Sequence, residues 1–220
     1  MFIHQHPYPP FLFNEATQVI VGTLPPPRFT QGMLLPGDVD FCYGSRDGQL
    51  WPILDRIFDL GLSYETTPEA VAERKAFLKK HGIGICDIVA RADRERIDAS
   101  DQGMKNIRLR DLVGMLQQYP GVERLLFTGG NSKNGPEYLF RRHLRDYGVR
   151  LERLSNTIPR IHQFRMPTDQ GRMITTVSLT APSGSANRAI GGLPEYKVRK
   201  AKDPNYTVMD FRVEQYRRFF

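Results

Sequence analysis

A chain of 220 residues is long enough for one large domain, 1–220, with a substantial core, and 40% hydrophobic and 25% charged residues are ordinary for a soluble globular protein. No apolar run approaches the roughly 18–20 residues of a membrane span, and MFIHQHPYPPF lacks the basic-then-apolar order of a secretory signal, so a cytoplasmic setting is expected. Cys42 and Cys86 lie far apart and outside any CxxC spacing, and His4 and His6 have no ligand spacing with them, which argues against a disulfide framework, a metal site or an iron–sulfur cluster.

The net charge of +7 is unevenly spread. Residues 1–140 carry 15 Lys and Arg against 17 Asp and Glu, whereas residues 141–220 carry 16 against 7. The basic residues of the second part are mostly arginine, the side chain best matched to phosphate. A one-sided basic field of this kind suggests a polyanion partner.

In chain order, QVIVG (18–22) is short, β-branched and closed by glycine, and reads as a buried strand. A long loop rich in proline and glycine follows, of the kind that is usually functional or disordered. Leu50, Ile53, Leu54, Ile57 and Phe58 then form a helical stripe that Gly61 stops. Thr66-x-x-Glu69 reads as a capping box opening a second helix to about Lys80. GIGICDIV (82–89) reads as a second strand. Leu109, Leu112, Val113 and Leu116 mark a third helix ended by Pro120-Gly121, VERLLFT (122–128) a third strand, and Pro136 a further helix. VRLERLS (149–155) is a weaker strand and MITTVSLT (173–180) a strong one, followed by the loop APSGSANRAIGG. VMDFRVEQYRRFF closes the chain as a helix. This alternation predicts an α/β fold with a mainly parallel sheet between helices. The loops leaving the strands at Gly22, Cys86, Thr128 and Thr180 are expected to meet at one rim, where such folds bind ligands.

Three segments at that rim carry the chemistry: VGTLPPPRF, FCYGSRDGQLW (41–51) and TAPSGSANR (180–188). A strand ending in glycine and a proline turn, an aromatic-Gly stretch running to a Trp at a helix start, and a late Pro-Ser-Gly-Ser loop stand in the same order in the uracil-DNA glycosylase superfamily. The chain resembles that superfamily from about Pro10 to about Arg188, most closely its mismatch-specific and hypoxanthine-type branches. The resemblance implies a three-layer αβα domain around a short parallel sheet. It also implies DNA as partner, a base flipped into the rim pocket, and hydrolysis of its N-glycosidic bond without metal or cofactor. Thr23, Leu24, Tyr43, Gly48 and Ala181 are then the expected base-binding positions, with Tyr43 where relatives place the aromatic that stacks on the extruded base. Phe41 reads as core. In the late loop, Ser183, Ser185 and Asn187 can bond phosphate oxygens, Gly184 permits close backbone approach, and Arg188 can neutralise a phosphate or fill the vacated stack. The same residues also suit an ordinary strand-to-helix turn with a serine cap.

The hydrolytic positions depart from the family pattern. Leu24 stands where relatives place the Asp or Asn that handles water, Gly48 where hypoxanthine-type relatives place an Asn, and Ala181 where the late motif opens on His or Asn. Asp47, beside the vacant Asn position, is the first candidate to activate water, with a helix cap as its alternative; Asp87 is the second, with pairing to Arg91 or Arg94 as its alternative. His162, in a basic segment, is a weaker reserve. Small or apolar residues at the three vacant positions predict a pocket wider than one for plain uracil, suited to a deaminated purine or a modified pyrimidine. No lysine stands out as a Schiff-base nucleophile, so a monofunctional enzyme is expected. A silent base-sensing protein of the same fold, and an enzyme acting on free nucleosides, are the rival readings.

Overall fold

The computed structural model describes residues 1–98, 100–167 and 171–220. In chain order its elements are β1 (Phe2–Gln5), β2 (Gln18–Val21), α1 (Pro27–Thr30), α2 (Leu50–Phe58), α3 (Pro68–Lys80), β3 (Ile83–Ile85), β4 (Val89–Arg94), β5 (Lys105–Leu109), α4 (Leu112–Gln118), β6 (Arg124–Phe127), α5 (Pro136–Asp146), β7 (Glu152–Ser155), β8 (Arg160–Arg165), β9 (Met173–Ser178), α6 (Asn187–Gly191), α7 (Pro194–Lys202) and α8 (Val208–Tyr216).

The central sheet has the order β3-β2-β6-β9-β8-β7. β3, β2, β6 and β9 are parallel, and β8 and β7 extend the sheet antiparallel. Alternation along the strands sends side chains to opposite faces. Val19, Val21, Leu125 and Phe127 pack on one face with Leu112, Val113 and Leu116 of α4 and Leu139, Phe140 and Leu144 of α5. Ile20, Leu126, Val177 and Ile85 pack on the other with Leu50, Ile53 and Leu54 of α2, Phe77 and Leu78 of α3, and Tyr216 of α8. Helices therefore cover both faces, giving the three-layer αβα arrangement around a mainly parallel sheet. Phe41 is 5% exposed and lies in the second cluster beside Trp51, a core residue. Among the described residues, no helix is long and apolar enough to cross a membrane.

Several elements differ from the pattern read in the sequence. GIGICDIV is not one strand: only Ile83–Ile85 joins the central sheet, and the chain then turns into β4 of a separate antiparallel sheet, β1-β4-β5. Leu109 ends β5, and α4 begins after it at Leu112, where the Asp111 side chain accepts from the Gly114 N–H at 2.9 Å. The cap of α3 is Thr67, whose hydroxyl accepts from the Ala70 N–H, not Thr66. Pro68 suits the first helical turn, which fixes that register; Thr66 instead donates to the Asp38 carbonyl at 2.7 Å. PRIHQF contributes a strand, β8, and His162 is buried on it, its Nε2 accepting from Arg141. The closing helix α8 ends at Tyr216 and opens with a capping box between Thr207 and Asp210.

Candidate functional site

The long loop between β2 and α2 is held by one buried carboxylate. Asp38 takes a bidentate pair from Arg28, with Nε to Oδ2 and Nη2 to Oδ1 both at 2.8 Å, and N–H bonds from Arg46 at 2.8 Å and Leu35 at 2.9 Å. Burial alone would raise the Asp38 carboxyl; the Arg28 guanidinium and the two N–H groups outweigh it and hold the acid at about 2. Beyond Asp38 the chain turns tightly: Val39 N–H donates to the Gly44 carbonyl and Gly44 N–H to the Phe41 carbonyl, at 2.7 and 2.9 Å. A Cβ on Gly44 would lie 1.9 Å from the Val39 carbonyl oxygen, so this turn requires glycine there. Tyr43 adopts φ of 59°, an uncommon conformation for a bulky residue, and Trp51 Nε1 donates to the Cys42 carbonyl beside it at 2.9 Å.

This geometry aims the Tyr43 phenol at the carboxyl end of β2. Its hydroxyl donates to Asp87 Oδ1 at 2.9 Å and lies 3.2 Å from Thr128 Oγ1. Asp87 Oδ1 also accepts from the Gly22 N–H at 2.8 Å. His6 Nδ1 accepts from the Tyr8 N–H, so the ring proton is on Nε2 and donates to Asp87 Oδ2 at 2.9 Å. Asp87 is thus buried with three donors on its two oxygens, and these, rather than Arg91 or Arg94, are its partners. Burial, then the neighbouring Asp87 charge, pushes the Tyr43 hydroxyl well above its ordinary range, so it stays a donor.

Beside this network is a cavity of about 550 Å³ at the carboxyl ends of β6 and β9. Thr128, Gly129 and Gly130 line it from the loop after β6, Ser178 to Ala181 from the end of β9, and Ala186, Ala189 and Ile190 from the late loop and α6. Arg160 of β8 and Asp101, from a short 3-10 turn between β4 and β5, supply its charged groups. Arg160 Nη2 donates to Oε2 of the fully buried Glu137 at 2.7 Å, and Ser178 Oγ donates to the same oxygen at 2.7 Å. Burial would raise Glu137, but the donors Ser178 and Arg141 and the charges of Arg160 and Arg141 lower it, so it remains a carboxylate.

Among the described residues, Asp101 is the acid that departs upward. Burial pushes its carboxyl to about 6, further than the Thr23 hydrogen bond and the Arg94 charge pull it down, with the Asp87 charge adding to the rise. Thr23 Oγ1 donates to Asp101 Oδ1 at 2.7 Å. Asn134 Nδ2 donates to the Asp101 carbonyl at 2.9 Å, and Arg94 Nη1 to the preceding Ser100 carbonyl at 2.7 Å.

The second and third sequence segments meet directly. Gly48 and Ser183 form an antiparallel bridge, and Gln49 N–H donates to the Pro182 carbonyl at 2.9 Å. Arg212 of α8, fully buried, ties the two together: it donates to the carbonyls of Ala181 (3.0 Å) and Ser183 (2.8 Å), to Gln49 Oε1 (2.6 Å) and to Asn187 Oδ1 (2.9 Å). The Asn187 side chain is therefore engaged inside the protein. Ser183 and Ser185 hydroxyls bond each other at 3.0 Å, and Gly184, Ser185 and Arg188 are exposed. Of the three vacant family positions, Ala181 lines the cavity, whereas Leu24 packs against the core and Gly48 sits in the bridge. Asp47 has a side chain 73% exposed, with Arg28 Nη2 at 3.4 Å, and is not among the lining residues.

Of the residues expected from the sequence, Thr23 bonds Asp101 and Tyr43 bonds Asp87 beside the cavity, but Thr23, Tyr43 and Asp87 do not line it. Sequence reasoning missed Asp101, which belongs to no motif, and His6, Arg160 and Arg212, which reach the site from distant segments.

No protein-family profile matches the chain, and no curated protein matches it. Among solved structures, a solution NMR structure of a protein from Methanosarcina acetivorans, provisionally named a uracil DNA glycosylase, superposes with a TM-score of 0.54 at 17% identity, covering 97% of this chain and 99% of that one. The likeness establishes a uracil-DNA-glycosylase-like fold.

Proposed function

We propose that the protein is a monofunctional DNA glycosylase that extrudes a base into the cavity at the ends of β6 and β9 and hydrolyses its N-glycosidic bond. The observation that carries the reading is that cavity, with a carboxyl group, a guanidinium and the late loop converging on one rim of a glycosylase-like sheet. A duplex base is out of reach until flipped, and the volume of about 550 Å³ is within the ordinary range for ligand sites. The same room, widened where Gly129, Gly130 and Ala181 carry little or no side chain, favours a target larger than uracil: a deaminated purine or a modified pyrimidine.

Tyr43, its ring fixed by Asp87 through the hydroxyl, braces the rim from behind Thr128 without lining the cavity itself. Asp87, with both oxygens already bonded, holds Tyr43, Gly22 and His6 in place. Asp47 lies exposed beside Arg28, outside the cavity. Ser185, Gly184 and Arg188 of the late loop meet the phosphates, backed by the Arg212 clamp. The basic character of residues 141–220 supplies the long-range attraction.

The test is a set of duplexes bearing uracil, hypoxanthine, xanthine and modified cytosines, scored for alkali-labile sites. Release of a base larger than uracil is the expected result, and cutting confined to uracil contradicts the assigned target. Binding should weaken steeply with salt, and Arg188→Ala should reduce that salt slope by about one counterion. Turnover of free nucleosides with no salt dependence would point to small-molecule chemistry instead.

A further inference from the structure

We infer that Asp101 is the group that activates water for this hydrolysis, supplied from the 3-10 turn between β4 and β5 rather than from the loop after β2. The inference rests on the glycosylase reading and adds its general base.

Three observations place the carboxylate. Asp101 lines the same cavity as Thr128, Ser178 and Ala181. Its Oδ1 is fixed by Thr23, the residue directly before Leu24, so a carboxylate stands beside a segment whose own side chain at Leu24 can do no proton chemistry. Its Oδ2 meets no donor among the described residues. The backbone around it is held from three sides: Asn134 on its carbonyl, Arg94 on Ser100, and Met104, whose carbonyl takes a second bond from Asn134 at 3.1 Å. One oxygen anchored and one free gives a fixed carboxylate that can still accept a proton. Asp87 lacks this arrangement, since both of its oxygens are occupied.

The step balances without any further reagent. A water oxygen forms the bond to the anomeric carbon while the carbon–nitrogen bond breaks, and that bonding pair leaves with the base. The water proton passes to Asp101 Oδ2 and then to the departing base or to solvent. The ionised carboxylate also stabilises the positive charge that develops on the sugar. The charged groups around Asp101 are Arg94 on β4 with its partner Asp98, Asp87 at the end of β3, and Arg160 across the cavity. A base held near 6 is ionised at neutral pH yet a better proton acceptor than an ordinary aspartate.

The experiment compares wild type, Asp101→Asn and Thr23→Val under single-turnover conditions on whichever duplex the wild type cuts, with DNA binding and thermal melting followed in parallel. Asp101→Asn should melt cooperatively, bind the duplex within about twofold of wild type and lose at least about 100-fold in rate, the ordinary contribution of a general base. The wild-type rate should fall about tenfold per pH unit below about 6 and level above it. Thr23→Val should lower the rate near neutral pH and move that inflection upward, because it removes the bond that both orients Asp101 and favours its charged form. Undiminished release by Asp101→Asn, or a rate independent of pH between about 5 and 8, overturns the assignment of Asp101 while leaving the glycosylase reading standing. Absence of release by the wild type from every duplex removes both.

Discussion

Gly22 is where backbone, aromatic and carboxylate come closest, and a double-mutant cycle there measures the network at the end of β2. A Cβ on Gly22 would lie 2.2 Å from the Tyr43 hydroxyl and 2.9 Å from both Asp87 Oδ1 and Thr128 Oγ1. Tyr43→Phe alone deletes an O–H donor to a buried carboxylate, a loss of about 1.5–3 kcal/mol. Gly22→Ala must push the phenol off that same bond and adds overpacking strain of about 1–3 kcal/mol, so it should cost about 2.5–6 kcal/mol. Once Tyr43→Phe has removed the hydroxyl, the nearest obstacle is gone, and the alanine should then add only the residual crowding against Asp87 and Thr128. The double variant should therefore fall short of the sum of the singles by about 1.5–3 kcal/mol, a coupling typical of residues in direct contact. Urea denaturation of the four proteins gives the cycle, provided the slope m stays constant. Additivity within about 0.5 kcal/mol would refute the reasoning, because it would mean that the two substitutions do not break the same bond.

Asp38→Asn should loosen the loop from Arg28 to Asp47. Because its folded pKa of about 2 lies below the ordinary value, the stability it confers is fully present above about pH 4 and is lost as pH falls toward 2, an effect of about 2 kcal/mol visible in acid titration of the wild type and absent from the variant. Asp101 has the opposite sign. Its folded pKa of about 6 lies above the unfolded value, so it destabilises the protein above about pH 6, and Asp101→Asn should be more stable than wild type at about pH 8 by about 1–3 kcal/mol, with the gap closing below about pH 4 in matched thermal melts. Arg212→Met should free four acceptors at the junction of the two loops and destabilise by about 3 kcal/mol, offset in part because a buried cation is no longer desolvated; susceptibility of residues 180–188 to limited proteolysis should rise with it.

The central strands were legible because each is a short apolar run closed by a turn signal: QVIVG, VERLLFT and MITTVSLT all contain strands of the sheet. PRIHQF was not, since its arginine and histidine obscure a strand that buries His162 and Phe164 on the sheet. The apolar run GIGICDIV conceals a change of sheet, which no periodicity can report, because both pieces are buried. The capping box failed by one residue because Thr66 and Thr67 both satisfy the side-chain chemistry and only Pro68 selects between them. At the site, motif order pointed to a rim shared by Tyr43, Asp87 and the 180–188 loop. Asp101 was invisible because its character comes from burial and from Thr23, 78 residues away in the chain. Arg212 was hidden among the many basic residues of 141–220, where sequence shows a charge but not its burial.

Mass spectrometry of the small molecules freed from a panel of modified-base duplexes, read alongside binding of the same duplexes, tests the central claim most directly. The account predicts a free base larger than uracil, with an abasic site left in the strand in matching amount. Tight binding with every glycosidic bond left intact would contradict it and mark the protein as one that senses bases without removing them.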